Sequence, residues 1–294
     1  MAIFEGAGVA IITPMNEDLT VNYDKLEEII EEQIAGGTDC IIACGTTGEA
    51  ATLSHEEHLE VIARTVQIVK GRIPVVAGTG SNSTETAIYL SQEAQKAGAD
   101  AVLLVSPYYN KATQNGLYQH FGRTANAIDI PVILYNIQGR TGVNIAPATI
   151  ARMFKDVENI VGVKEASGDI SQIAQIMHLT NGEIDLYSGN DDQVVPILSL
   201  GGKGVISVLS NVAPRDTHDM VAKYLAGDTA GSLALQMKYM DLIHALFCEV
   251  NPIPVKKATY LMGYGDDAVR SPLTVMEPEH AAVLEAEMRR LGIL

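Results

Sequence analysis

The stretch Ile160-Val161-Gly162-Val163-Lys164-Glu165-Ala166-Ser167-Gly168-Asp169 decides how the rest of the chain is read. Four apolar or small residues run into a lysine and a glutamate, a small-residue turn follows, and the helical pattern DISQIAQIM then begins at Asp169. An apolar run this short, closed by a turn and followed by a helix, marks a parallel strand buried on both faces. Lys164 therefore stands at the carboxyl end of a buried strand. Two readings are open there. If the side chain points inward, burial disfavours the ammonium form, lowers the pKa from its usual value of about 10.4, and leaves an amine able to attack a carbonyl. If it lies just past the strand, the stem snorkels and carries the charge to water.

Outward from this stretch the same alternation repeats. Strand patterns at residues 7–12, 40–44, 75–77, 101–105, 132–135, 160–164, 186–188 and 205–208 are separated by helical patterns at 23–35, 54–70, 84–97, 116–127 and 147–154 and by the one opening at Asp169. Ser54 with Glu57 three residues on forms a capping box, Gly36-Gly37 closes the first helix, and Pro74 opens the third strand where a missing N–H is tolerated. Eight such units with right-handed crossovers close into an α/β fold, the (β/α)8 TIM barrel. An open doubly wound sheet is the competing architecture, but Gly78-Thr79-Gly80-Ser81-Asn82-Ser83 lacks the third glycine of its nucleotide fingerprint. After about Asn211 helical patterns take over, at 215–225, 230–247 and 279–290. The expected organisation is a barrel over residues 1–225 and a C-terminal helical extension over 226–294, with no linker long enough for an independent domain.

Composition narrows the function. The 294 residues are 47% hydrophobic, and 20 Lys and Arg against 36 Asp and Glu give a net charge of −16, which argues against a nucleic-acid partner. No apolar run reaches the ~18 residues of a membrane span, and the amino-terminal stretch lacks the basic region and apolar core of a signal peptide. Cys40, Cys44 and Cys248 form no CxxC pair. These features predict a cytoplasmic protein with free thiols.

In a TIM barrel the working groups lie at the carboxyl ends of the strands and in the loops after them. Those positions hold Thr46, Thr47, Tyr108, Tyr109, Tyr135, Arg140, Lys164 and Asn190: a carbonyl nucleophile, several hydroxyls and one fixed cation. No metal site is expected. His55 and His58 share a helix face, but HEEH lacks the spacing of a zinc-binding HExxH, and His120, His178, His218, His244 and His280 are expected on solvated helix faces. Gly45 to Gly48 offers two hydroxyls and consecutive N–H groups suited to a carboxylate, or else is a glycine-rich turn with no ligand. Tyr135 ends an apolar strand, where a buried phenol needs a partner and beside Lys164 can shuttle protons.

Seven motifs in order, GTTGE (45–49), PYYN (107–110), YN…GRTG (135–142), GVKEASG (162–168), SGNDD (188–192), GVISV (204–208) and NPIPVK (251–256), resemble those of the 4-hydroxy-tetrahydrodipicolinate (dihydrodipicolinate) synthase family of pyruvate-dependent class I aldolases. The resemblance covers essentially the whole chain. It implies a Schiff-base aldol condensation of pyruvate with L-aspartate 4-semialdehyde, followed by cyclisation, on the way to diaminopimelate and lysine, with no cofactor. Carried over residue by residue, Lys164 would form the imine, Tyr135 and Thr46 would relay protons, and Tyr109 would reach in from a neighbouring subunit. Thr47, Arg140, Gly189 and Ile206 would bind substrate, with Arg140 on the semialdehyde carboxylate. The resemblance further implies at least a homodimer, and commonly a homotetramer built as a dimer of dimers.

Two departures from the family pattern carry expectations. Gln138-Gly139 stands where a proline is usual, which predicts a looser loop around Arg140. The lysine-inhibition site of some relatives matches at Ala51, His55, Asn82 and Tyr108, but Thr86 takes the place of its acidic residue and Glu85 is one position off, about 100° around a helix. Weak or absent inhibition by lysine is the expectation. The rival functions are N-acetylneuraminate lyase or a 2-keto-3-deoxy sugar acid aldolase, which share the imine, and a non-catalytic small-molecule sensor.

Overall fold

A computed structural model describes residues 2–294. Its strands are β1 (Gly6–Ala10), β2 (Cys40–Ala43), β3 (Val75–Gly78), β4 (Ala101–Val105), β5 (Val132–Asn136), β6 (Ile160–Glu165), β7 (Asp185–Ser188) and β8 (Gly204–Ser207). All neighbours are parallel, and β8 pairs with β1 to close the barrel. Between them run α1 (Tyr23–Ala35), α2 (His55–Val69), α3 (Thr84–Ala97), α4 (Gln114–Ala125), α5 (Gln138–Thr141), α6 (Pro147–Asp156), α7 (Ile170–Leu179) and α8 (Val194–Ser199). After β8 the chain is helical: α9 (Pro214–Leu225), α10 (Thr229–Ala245), α11 (Ile253–Leu261) and α12 (Pro278–Arg290). Among the described residues no helix is long and apolar enough to cross a membrane.

The local signals explain the boundaries. Ser54 and Glu57 make the reciprocal cap of α2, and Lys70 ends that helix in the left-handed conformation. Three helices, α5, α8 and α11, are absent from the sequence reading. The first two have four and six residues, too short for a helical period to show, and the prolines at 252 and 254 obscure the third.

Burial divides into two layers. The large outer core lies between strands and helices and takes Val132, Leu134, Ile160, Val163 and Leu186. The inner one fills the barrel with Phe4, Ile42, Leu103, Ile133, Tyr135, Tyr187 and Ile206 among others. Phe4, just before β1, stacks on Tyr187 with ring centroids 4.4 Å apart and accepts the Tyr187 hydroxyl at its carbonyl, 2.8 Å away, so it plugs the amino-terminal end of the barrel.

One irregularity positions the chemistry. Val132 pairs with Ile160, but Ile133 pairs with Gly162, so β6 carries one extra residue, Val161. Side chains alternate along a strand, and Ile160 faces the outer core. Without the extra residue Lys164 would face the helices. The bulge inverts the alternation, so Val163 remains in the outer core while Lys164 pairs with Tyr135 on one side and with Tyr187 on the other, both inner-layer residues.

Candidate active site

Lys164 is buried, with its Nζ 4.3 Å from the centroid of the Tyr135 ring. Burial lowers its ammonium to about 7; Asp191 pulls it back up, and Arg140 pushes it further down. The inward reading of Lys164 therefore holds: this amine loses its proton near neutral pH and is a nucleophile there. Burial raises the Tyr135 phenol to about 12, against the opposite pull of the Arg140 guanidinium and the Thr46 hydroxyl. The phenol stays protonated and can donate to, or return a proton from, a substrate oxygen.

Gly189 follows β7 and lies against the lysine stem. A Cβ there would meet Ala166 Cβ at 2.7 Å and Lys164 Cε at 3.1 Å, so only glycine allows the approach. Glu165, on the opposite face of β6, accepts from the Ser167 N–H at 2.8 Å and from Asn136 Nδ2 at 3.1 and 3.2 Å. It fixes the turn after the strand and stays out of the lumen.

A cavity of about 450 Å³ opens beside Tyr135, lined by Thr46, Tyr135 and Arg140 among others. Thr46 lies in the loop after β2. Its neighbour Thr47 is buried, with its hydroxyl accepting from Asn251 Nδ2 at 3.0 Å. Arg140 sits on α5, so the segment expected to be loose is a helical turn, closed by Gly142 in the left-handed region at φ 69°. Arg140 Nη2 donates to the Asn251 carbonyl at 3.1 Å. Asn251 thus joins the threonine loop to the arginine, a link the sequence reading missed although it quoted NPIPVK. Ile206, on β8, is buried in the same inner layer as Tyr135. Asn190 starts the short turn after β7, where its side chain contacts Gln193.

Asp191, inside the SGNDD motif, makes contacts that no local pattern registers. Its buried carboxylate accepts the Val208 and Leu209 N–H groups at 3.0 and 2.9 Å through Oδ2, while Oδ1 has no partner. It ties the loop after β7 to the end of β8.

Tyr109 is 91% exposed, with φ at 71°, and takes no part in the cavity of its own chain. The lysine-site candidates divide. Ala51, His55, Tyr108 and Thr86 line the cavity, whereas Asn82 does not, and its carbonyl accepts from Asn110. Glu85 turns away and pairs with Arg123.

The histidine expectation needs correction at His120. It is buried between α3 and α4, with Nδ1 against the Thr84 hydroxyl at 2.9 Å and Nε2 unpartnered, and burial lowers it to about 4. Its helix packs on both sides, so the polar residue falls on a buried face. His58 is also buried, donating to the Gly78 carbonyl at 2.7 Å, while His55 is exposed.

The sequence pattern described as the Dihydrodipicolinate synthetase family matches residues 3–291. The 4-hydroxy-tetrahydrodipicolinate synthase of Lachnoclostridium phytofermentans is 61% identical over 294 residues, all of this chain and all of that one. The crystal structure of dihydrodipicolinate synthase from Thermotoga maritima superposes with a TM-score of 0.98 at 41% identity, covering 100% of both chains. That of the enzyme from Cyanidioschyzon merolae, solved with lysine bound, does so with a TM-score of 0.97 at 39% identity, again over 100% of both.

Proposed function

The chain belongs to the dihydrodipicolinate synthetase family, and on that premise we propose that it is a lyase of the class I aldolase type that condenses pyruvate with L-aspartate 4-semialdehyde. The observation that carries this reading is the buried Lys164 amine, titrating near 7 beside the Tyr135 ring.

The steps follow from the geometry. Neutral Lys164 adds to the ketone carbon of pyruvate, and the carbinolamine loses water with Tyr135 supplying a proton. The resulting imine acidifies the methyl group, and the Tyr135 phenolate left by the dehydration takes the methyl proton, which gives an enamine and restores the phenol. The enamine carbon attacks the semialdehyde aldehyde, and Tyr135 protonates the new alkoxide. The amine of the semialdehyde portion then adds to the imine carbon and displaces Lys164, which closes the ring. The imine is the electron sink, so the chemistry needs no cofactor. Thr46 faces the phenol, and Thr47, fixed by Asn251, supplies the loop that holds the pyruvate carboxylate. The planar donor set of Arg140 suits the semialdehyde carboxylate, which it would bind in two-pronged fashion.

The exposure of Tyr109 supports its delivery into a neighbouring subunit's site, hence at least a homodimer, with a homotetramer as the assembly proposed. We place the barrel at residues 1–225 and the helical extension at 226–294. We propose that it works in the cytoplasm on small soluble substrates; the net charge of −16 argues against a nucleic-acid partner.

The substrate assignment is tested by measuring turnover with pyruvate plus aspartate semialdehyde against pyruvate plus N-acetylmannosamine or aldose-derived aldehydes. A clear preference for the semialdehyde is expected. Equal or better turnover of sugar substrates would transfer the chain to the sugar acid aldolases.

Inhibition by lysine is expected to be weak. The relative from Cyanidioschyzon merolae binds lysine, but in this chain a carboxylate partner for the ligand ammonium is missing where Thr86 lines the cavity. Initial rates should stay nearly constant as L-lysine is raised into the millimolar range, and strong inhibition below millimolar would contradict this.

A further inference from the structure

Behind the threonine loop lies an ion pair that the reaction does not use. Lys256 Nζ, on α11, donates to Glu49 Oε1 at 2.6 Å, and the two side chains are 0% and 2% exposed. The other oxygen, Glu49 Oε2, accepts the Arg270 N–H at 3.0 Å. Arg270 itself holds the Thr52 carbonyl at 2.8 Å and pairs with Glu57 at the start of α2. Glu49 is thus gripped twice by the chain that follows the barrel.

The loop it ends is conformationally demanding. Cys44 and Glu49 bracket Gly45-Thr46-Thr47-Gly48, and both have positive φ, 54° and 55°, a region unfavourable for residues with a Cβ. Such a backbone persists only where its surroundings over-determine it. Cys44 is buried at the end of β2, the Thr13 hydroxyl donates to the Gly48 carbonyl at 2.7 Å, Asn251 holds Thr47, and the ion pair fixes Glu49. Three of these anchors, Asn251, Lys256 and Arg270, come from one C-terminal segment.

A buried ion pair is an inefficient way to gain stability, since well-packed apolar residues of like volume serve as well or better, but it holds one geometry. We infer that the Lys256–Glu49 pair is a positioning device: it sets the conformation of the Thr46–Thr47 loop, and with it the fit of the carboxylate of the keto acid. This inference rests on the function proposed above and adds a role for the C-terminal helices in substrate binding.

The test compares E49Q, K256M and the double variant E49L/K256M in the full-length protein, by thermal melting and by the pyruvate concentration that half-saturates borohydride-trapped imine. Trapping in the unaltered protein comes first. No adduct there overturns the proposed function itself, whereas an adduct makes the variants a test of the ion pair alone. The double variant is expected to recover part of the melting temperature that K256M alone loses, because an apolar pair replaces the buried charges while the Arg270 N–H loses its acceptor, yet to need about tenfold more pyruvate, because the loop loses its anchor at Glu49. The KM for the semialdehyde should change much less than that for pyruvate. A folded double variant with a pyruvate requirement within about twofold of the unaltered protein would reduce the pair to a structural one and overturn the inference. If the double variant does not fold, the near-isosteric E49Q decides by the same criterion.

Discussion

Lys164→Met is expected to abolish the pyruvate adduct, to lower kcat/KM by at least ~10³-fold, and at the same time to stabilise the protein near neutral pH. The loss of activity follows from removing the nucleophile placed for the imine. The gain in stability follows from linkage. Burial brings the folded-state pKa to about 7, while the unfolded lysine titrates near its ordinary value. Below the folded pKa both states carry the proton, and the cost of burying the charge is borne in full. Between the two values the unfolded chain binds more protons than the folded one, so the wild-type protein gains stability as pH rises. Relative to the methionine variant that gain is on the order of 1.4 kcal/mol per pH unit across the window, and the variant's advantage is greatest at its acid end. Urea unfolding of both proteins from about pH 6 to about pH 10 would show it as converging curves. Parallel curves would mean that Lys164 keeps an ordinary pKa, and the mechanism would lose its nucleophile. In the unaltered enzyme, the rate of imine trapping should rise through pH about 7 as the amine deprotonates.

Tyr135→Phe should separate proton transfer from structure. The phenylalanine ring can keep the packing against Lys164 and Ile133 in the inner layer, so the melting temperature should change little. Loss of the hydroxyl is expected to lower kcat by ~10²–10⁴-fold, the usual worth of a positioned general acid–base, with a smaller change in the KM for pyruvate. Exchange of pyruvate methyl protons with deuterated water, followed by NMR, isolates the enamine step from the aldol step. Its rate should fall together with kcat. Exchange at the wild-type rate would take Tyr135 out of enamine formation.

The architecture was legible because each strand announces itself locally. Short aliphatic runs, a capping box at Ser54 and Glu57, and alternation with amphipathic helices leave few topologies, and α1, α3 and β4 begin and end where the residue pattern places them. The site was legible to the extent that it lies at strand ends: Thr46, Tyr135 and Arg140 meet at one cavity, with Lys164 packed on Tyr135. What the sequence hid is non-local. The bulge at Val161, which turns Lys164 into the barrel, depends on pairing with β5, and a strict two-residue alternation from Ile160 would have aimed the lysine at the helices. Asn251 and Lys256 reach Thr47 and Glu49 across more than 200 residues of chain, in contacts separated by 204 and 207 positions, where no local period can register them. His120 was misplaced for a related reason, since a polar residue on a helix packed on both faces cannot be assigned to solvent from its own helix alone.

The most direct measurement is reduction of the unaltered protein with borohydride in the presence of pyruvate, followed by peptide mapping by mass spectrometry. A single reduced pyruvate adduct on the peptide containing Lys164, absent without pyruvate, is the predicted result. An unmodified Lys164, or an adduct spread over surface lysines such as Lys70 and Lys96, would contradict the account.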